Sequence, residues 1–158
     1  MPVGTRSIHD NVGLVGSIAP QVVTNGTING SAANLVTRQS QSHGFIIEIG
    51  TWTDGVHTFT PEERVAGGAW TAIAAANLDG FAFDGTTQQL AAGLATVAVI
   101  DNGRVGQRIL IGYSGINDEL RLSLVTTGAT VGALLGGSVV QGSMRYQGRN
   151  PGNAESTF

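Results

Sequence analysis

The sequence predicts an all-β protein, a single β-sandwich of jelly-roll-like form with extended N- and C-terminal arms, and three observations predict it. Apolar residues recur with period 2 in short runs rich in Val and Ile, as strands with one buried face require. Asn-Gly and Asp-Gly pairs separate the runs and supply the φ > 0 backbone of tight turns. The 158-residue chain holds 24 Gly and is 41% apolar but only 12% charged, which excludes a disordered chain and leaves few side chains for chemistry. The length suits one folding unit. It divides into an N-terminal arm over 1–16, a sandwich over 17–146 and a C-terminal arm over 147–158.

Residues 1–44 are rich in Gly, Ser, Asn and Thr, with turns at Asn25-Gly26 and Asn29-Gly30 and a short apolar piece from Val12 to Val15. Phe45, Ile47 and Ile49 then share one face of a strand. Trp52 to Phe59 reads as a hairpin about Asp54-Gly55, and Pro61-Glu62-Glu63-Arg64 as a solvated, helix-starting turn. Ala69 to Ile73 is a short strand, and Leu78 to Gly85 holds another between two Asp-Gly turns. Thr86 to Ala92 alone has helical character, too short to stand by itself and ended by Gly93.

A strand from Ala95 to Ile100 stops at Asp101-Asn102-Gly103. Ile109, Ile111 and Tyr113 alternate on one strand and Leu120, Leu122 and Leu124 on the next, joined by a turn over Ser114 to Asp118. Ile111 and Leu122 are expected in the core. Thr126 to Thr130 turns the chain into a last core strand, Ala133 to Gln141. Stacking the alternating faces about 10 Å apart gives the sandwich.

Little in the chain points to catalysis. With no Cys, disulfides, thiolate chemistry and Cys-ligated metals are removed together. Net charge is −3 and the eight basic residues, all Arg, are spread singly, so there is no footprint for nucleic acid or an anionic membrane. Arg suits interfaces because its planar fork grips carboxylates, although a bias toward Gly, Ala and Arg codons gives the same pattern. Met1 to Asp10 lacks a basic-plus-apolar signal. The long uncharged stretch from Leu122 to Met144 is broken by Thr126-Thr127-Gly128, which reads as two strands and argues against a membrane span.

Gly112-Tyr113-Ser114-Gly115-Ile116 misses the last glycine of a nucleophile elbow. Neither the His residues nor the Asp-Gly turns have metal-ligand spacing. His57 and Asp54 read as turn residues, and the sequons at Asn25 and Asn29 as turns too. No catalytic residue, cofactor or metal is expected. Trp52 and Trp70 discriminate two classes: buried in a structural protein, coplanar and exposed in a sugar-binding one.

Several segments together carry a resemblance. They are Ser7 to Val15 followed by Ser17-Ile18-Ala19-Pro20, the Asn-Gly repeat from Asn25 to Ser31, Trp52 to Thr60, and Ile111 to Ser114 through Leu120 to Ala129. These resemble segments of small virion proteins of tailed bacteriophages, over roughly residues 7–141. The resemblance implies a non-enzymatic β-sandwich or jelly-roll module: a capsid decoration (cement) protein bound to the outer surface of the phage head, bridging capsomers. Its implied partners are the major capsid protein and copies of itself, as a trimer, without direct nucleic acid or membrane contact. It would be made in the host cytoplasm and reside on the virion.

A head-spike-base or head–tail joining protein is the alternative within this class, and a carbohydrate-binding β-sandwich the alternative from another. The tail after Arg145 extends past the point where such proteins usually stop. Ile8, Val12, Leu14, Val15 and Phe158 are apolar groups at ends that one domain does not bury. With Arg145 and Arg149 they are the expected interface, docking on a partner's sheet edge and carboxylates.

Overall fold

The computed structural model describes residues 12–35, 42–83, 88–92 and 96–142 and contains two antiparallel sheets packed face to face. In chain order the strands are β1 (Val12–Val23), β2 (Gly26–Asn29), β3 (Ala33–Asn34), β4 (Ser42–Trp52), β5 (Val56–Arg64) and β6 (Thr71–Ala72). There follow β7 (Leu78–Phe83), β8 (Gln88–Ala92), β9 (Val97–Val99), β10 (Arg108–Tyr113), β11 (Glu119–Thr127) and β12 (Ala133–Gly142). The front sheet has the order β1-β12-β4-β10-β7-β8 and the back sheet β2-β11-β5-β6, with β3 also on β11 and β9 also on β5.

Eight of these strands form a nested hairpin. β1 pairs with β12, β2 with β11, β4 with β10, and β5 with β9, each antiparallel. Rolling that long hairpin so that β12 also pairs with β4 and β11 with β5 closes two sheets over one core. This is the jelly roll, in which the chain passes from sheet to sheet at most connections. β6, β7 and β8 are inserted at the hairpin's tip, where β7 and β8 widen the front sheet.

The period-2 runs fill the core. Phe45, Ile47, Ile109, Ile111, Leu120, Leu122 and Leu124 are fully buried between the sheets, joined by Phe59, Val99 and Val139. Gly137 on β12 makes room for the opposing layer: a Cβ there would lie 2.5 Å from Leu122 Cδ1.

β1 closes one side of the sandwich. Its pairing with β12 shifts register between Gly16 and Ile18, and in that bulge Ser17 turns toward the back sheet. Ser17 Oγ accepts the Leu122 N–H at 3.1 Å, and its carbonyl accepts the Ser31 N–H at 3.0 Å. A bulge that redirects a strand so that it serves both sheets leaves less edge exposed.

Within the segment 1–16, Val12 to Gly16 belong to β1 and pair in register with Gly142 to Ser138. Several expectations about single elements are corrected here. Trp52 to Phe59 is not a hairpin: β4 and β5 lie in different sheets, and Asp54-Gly55 carries the chain between them. The strands 109–113 and 120–124 are likewise in opposite sheets, facing across the core. Of the expected helical segment, Gln88 to Ala92 form strand β8, paired with β7, and Thr86 and Thr87 lie outside the described residues; so short a run has too little intrinsic helicity to resist a sheet edge.

Pro61 to Arg64 is not a turn but the end of β5. Pro61 is tolerated there because its carbonyl faces β6, accepting the Ile73 N–H at 3.0 Å. In a strand the N–H points to that same edge, so the missing donor costs nothing in the ladder with β11.

Candidate functional site

The polar side chains of the sandwich gather in three places and form a fourth, shallower feature. The first is the rim where the β4–β5 and β11–β12 connections meet. Asp54 accepts hydrogen bonds from three successive backbone N–H groups, Thr130 (2.9 Å), Val131 (3.0 Å) and Gly132 (2.6 Å). The bonds from Gly132 and Thr130, with lesser contributions from the Val131 N–H and the charge of nearby His57, hold its carboxyl below the ordinary value of 3.8, against an opposing effect of desolvation. His57, fully buried on β5, joins Thr126 Oγ1 through Nδ1 at 2.9 Å and the Asp54 carbonyl through Nε2 at 3.0 Å. Trp52 Nε1 donates to the Gly55 carbonyl at 3.0 Å, and the Ala129 N–H to Asn25 Oδ1 at 2.8 Å. Asp54 is thus a turn residue, as its sequence context suggests, and it ties the β4–β5 and β11–β12 connections together, whereas His57, expected in the turn, is a strand residue of β5 that links Asp54 to β11.

The second cluster is inside. Tyr113, from β10, donates its phenol to the Glu63 carboxylate of β5, and the Asn117 N–H donates to the same phenol oxygen at 3.1 Å. Both side chains are buried. Burial, and then the hydrogen bond to Glu63, push the Tyr113 pKa up to about 12. His43 meets the Tyr113 ring edge-on at 6.5 Å, and burial lowers its pKa. Nothing in the sequence joins Glu63 to Tyr113; only the crossing of the two sheets does.

The third lies on the outer surface of the back sheet. Register places Arg121 across from Glu62 and Arg64 across from Glu119. Each pair is closed, Arg121 to Glu62 at 2.6 Å and Arg64 to Glu119 by a short contact through Nε. Trp70 lies over this square, its ring centroid 4.4 Å from both guanidinium carbons. Cation–π contact of this kind uses the face of the indole.

The fourth is an open cavity of about 470 Å³ on the front sheet, lined by Pro20, Glu48, Gly50, Gln107, Arg108 and Leu134 among others. Gln107 Nε2 donates to the Gly103 carbonyl at 3.0 Å, while its Oε1 is shielded from solvent and has no partner.

Of the expected interface residues, Val12, Leu14 and Val15 belong to β1. Leu14 is 64% exposed and Val15 packs partly against the core. Ile8, Arg145, Arg149 and Phe158 lie outside the described residues. Trp52, half-buried at the end of β4, packs against the core, and Trp70, half-buried in the β5–β6 connection, packs against its two Arg residues. Among the described residues no three His, Asp or Glu side chains gather as a metal site would need, and no helix is long and apolar enough to cross a membrane. Comparison with protein-family models, curated proteins and solved structures finds no match.

Proposed function

We propose that the chain is a structural module of a tailed-phage virion, a capsid decoration protein that holds the head from outside by bridging neighbouring capsomers. The observation that carries this reading is how the interior ionisable groups are used. Among the described residues, His57, Glu63 and Tyr113 are buried, and each is hydrogen-bonded to a group from another strand or turn. Groups held in this way stiffen a domain and are poorly placed to meet a substrate. The same holds for the exterior, where Glu62, Arg64, Glu119 and Arg121 neutralise one another.

The jelly roll serves capsids and lectins alike, so the fold supports the reading by analogy only. Stiffness and a surface of low net charge are what a shell under internal pressure asks of a cement. The test is fractionation of particles made by the source of the sequence. The chain should sediment with heads in fixed stoichiometry and appear as density on their outer surface. Recovery only in the soluble fraction, or in tail structures, overturns the proposal.

A further inference from the structure

The two outer faces of the sandwich are built differently. The back sheet shows the closed square of Glu62, Arg64, Glu119 and Arg121 under Trp70. The front sheet shows Leu14 and Val22 (64% exposed each), Leu110 (46%) and Leu134 (39%), with Ile46 and Val140 half-buried beside them. Register sets them on either side of the Glu48–Arg108 row: Leu14 stands across from Val140 and Ile46 from Leu110 on one side, with Ser138 beside Ile46, and Val22 from Leu134 on the other. Between them the outward positions Gly44 and Gly112 carry no side chain, and Gly136 lies against Pro20. Exposed aliphatic groups on both sides of one ion pair mark an interaction surface.

Its charges indicate the occupant. Among the described residues the face carries one cation, Arg108, and two anions: Glu48, 3.1 Å from it across β10 and β4, with side chains 72% and 50% exposed, and exposed Asp79 on β7, across from Gly112. A partner of a single charge would meet friendly and hostile groups together. A second copy turned about a two-fold axis presents Arg108 and Glu48 in exchanged positions, as an isologous interface does.

We propose that the outer face of the front sheet is a self-association surface on which a second copy packs sheet to sheet, each Arg108 pairing with the other copy's Glu48 and the aliphatic patches meeting around them. This assignment does not depend on a capsid: its failure leaves the decoration reading standing, and failure of that reading leaves this one.

Sedimentation velocity on the full chain, Arg108→Glu, Glu48→Arg, a 1:1 mixture of the two variants, and a chain lacking 143–158 tests it. The wild type should be a dimer. Each reversal alone should weaken dimerisation by about tenfold or more, because like charges at 48 and 108 then meet across the two-fold axis, with little change in melting temperature. The mixture should restore the dimer, since unlike faces then meet; an ion pair acting only within one copy predicts no such rescue. Leu110→Asp should also give a folded monomer. A monomeric or trimeric wild type, a dimer indifferent to both reversals, or mixing without rescue overturns the proposal. So does a dimer abolished by removing 143–158 but untouched by the reversals, which would make the tail the occupant of the face.

Discussion

Asp54 and Gly132 bind each other's connections from both sides: the Gly132 N–H donates to Asp54 Oδ1 at 2.6 Å, and the Gly132 carbonyl accepts the adjacent Thr53 N–H at 3.0 Å. The pair fixes two sheet-to-sheet connections to one another at the rim. Because Asp54 is also the anion in a cradle of three N–H groups, its charge state matters to the fold.

The first prediction follows from that charge. Asp54 has a folded pKa below its unfolded value of 3.8, so it contributes stability above the unfolded pKa. That contribution is lost as pH falls through the folded pKa. Thermal melts between about pH 2 and pH 6 should show this acid loss in the wild type. Asp54→Asn should melt lower at neutral pH and lose part of the slope. An unchanged acid slope in the variant would show that other carboxyls govern it.

A second prediction concerns the mirror-image titration at high pH. Tyr113 has a folded pKa raised to about 12 from 10.0, so its contribution is complete below pH 10 and disappears as pH rises toward 12. Tyr113→Phe should flatten this alkaline loss. It should also cost about 1–3 kcal/mol at neutral pH, because Glu63 is left buried without its donor. Spectrophotometric titration of tyrosinate beside chemical denaturation measures both, and a tyrosine pair titrating normally near 10 would contradict the buried phenol.

Packing supplies the third. Leu122→Ala, in a fully buried position, should cost about 2–5 kcal/mol. Gly137→Ala should cost about 1–3 kcal/mol, because the new methyl meets Leu122 Cδ1. Combined, the two should be less damaging than their sum, since the first substitution vacates the space that the second needs. Additive costs in a urea-denaturation cycle would mean the layers relax away from the contact.

The fourth tests the indole on the back sheet. Trp70→Ala should lower stability by about 0.5–2 kcal/mol through lost cation–π contact and packing, and it should leave the oligomeric state unchanged. A shift in oligomeric state would make the back face, rather than the front, a docking surface.

Much of the fold is legible in the sequence because a period of 2 states which side chains face inward. Phe45-Ile47-Ile49, Ile109-Ile111-Tyr113 and Leu120-Leu122-Leu124 are all buried as their alternation requires. Alternation is silent about which strand lies alongside, so the two-sheet placement of 109–113 and 120–124 is invisible in it. Glu62 and Glu63 show the same limit from the other side. Two adjacent carboxylates after a proline look solvated, yet in a strand they point to opposite faces, one to Arg121 outside and one to Tyr113 inside. The cradle for Asp54 is formed by backbone N–H groups, which no residue pattern announces; only the Asp-Gly turn itself was visible. The aliphatic outer face was equally hidden, because its residues come from β1, β4, β10 and β12 and become neighbours only through register.

The nesting of the strand pairs bears on how the molecule reaches its structure in time. Closing β1 on β12 directly from an open chain joins residues as far apart as Val12 and Gly142, whereas β5 on β9 joins His57 to Val99. Loop-closure entropy and the high share of distant contacts make such topologies slow to fold. Each inner pair, once made, brings the next two strands close, so the cheapest route zips outward from the β5–β9 tip to β1. We therefore expect chevron kinetics in which truncating Val99 slows folding while truncating Ile18 chiefly speeds unfolding. The reverse pattern would place the nucleus at the chain's ends and refute an outward zipper.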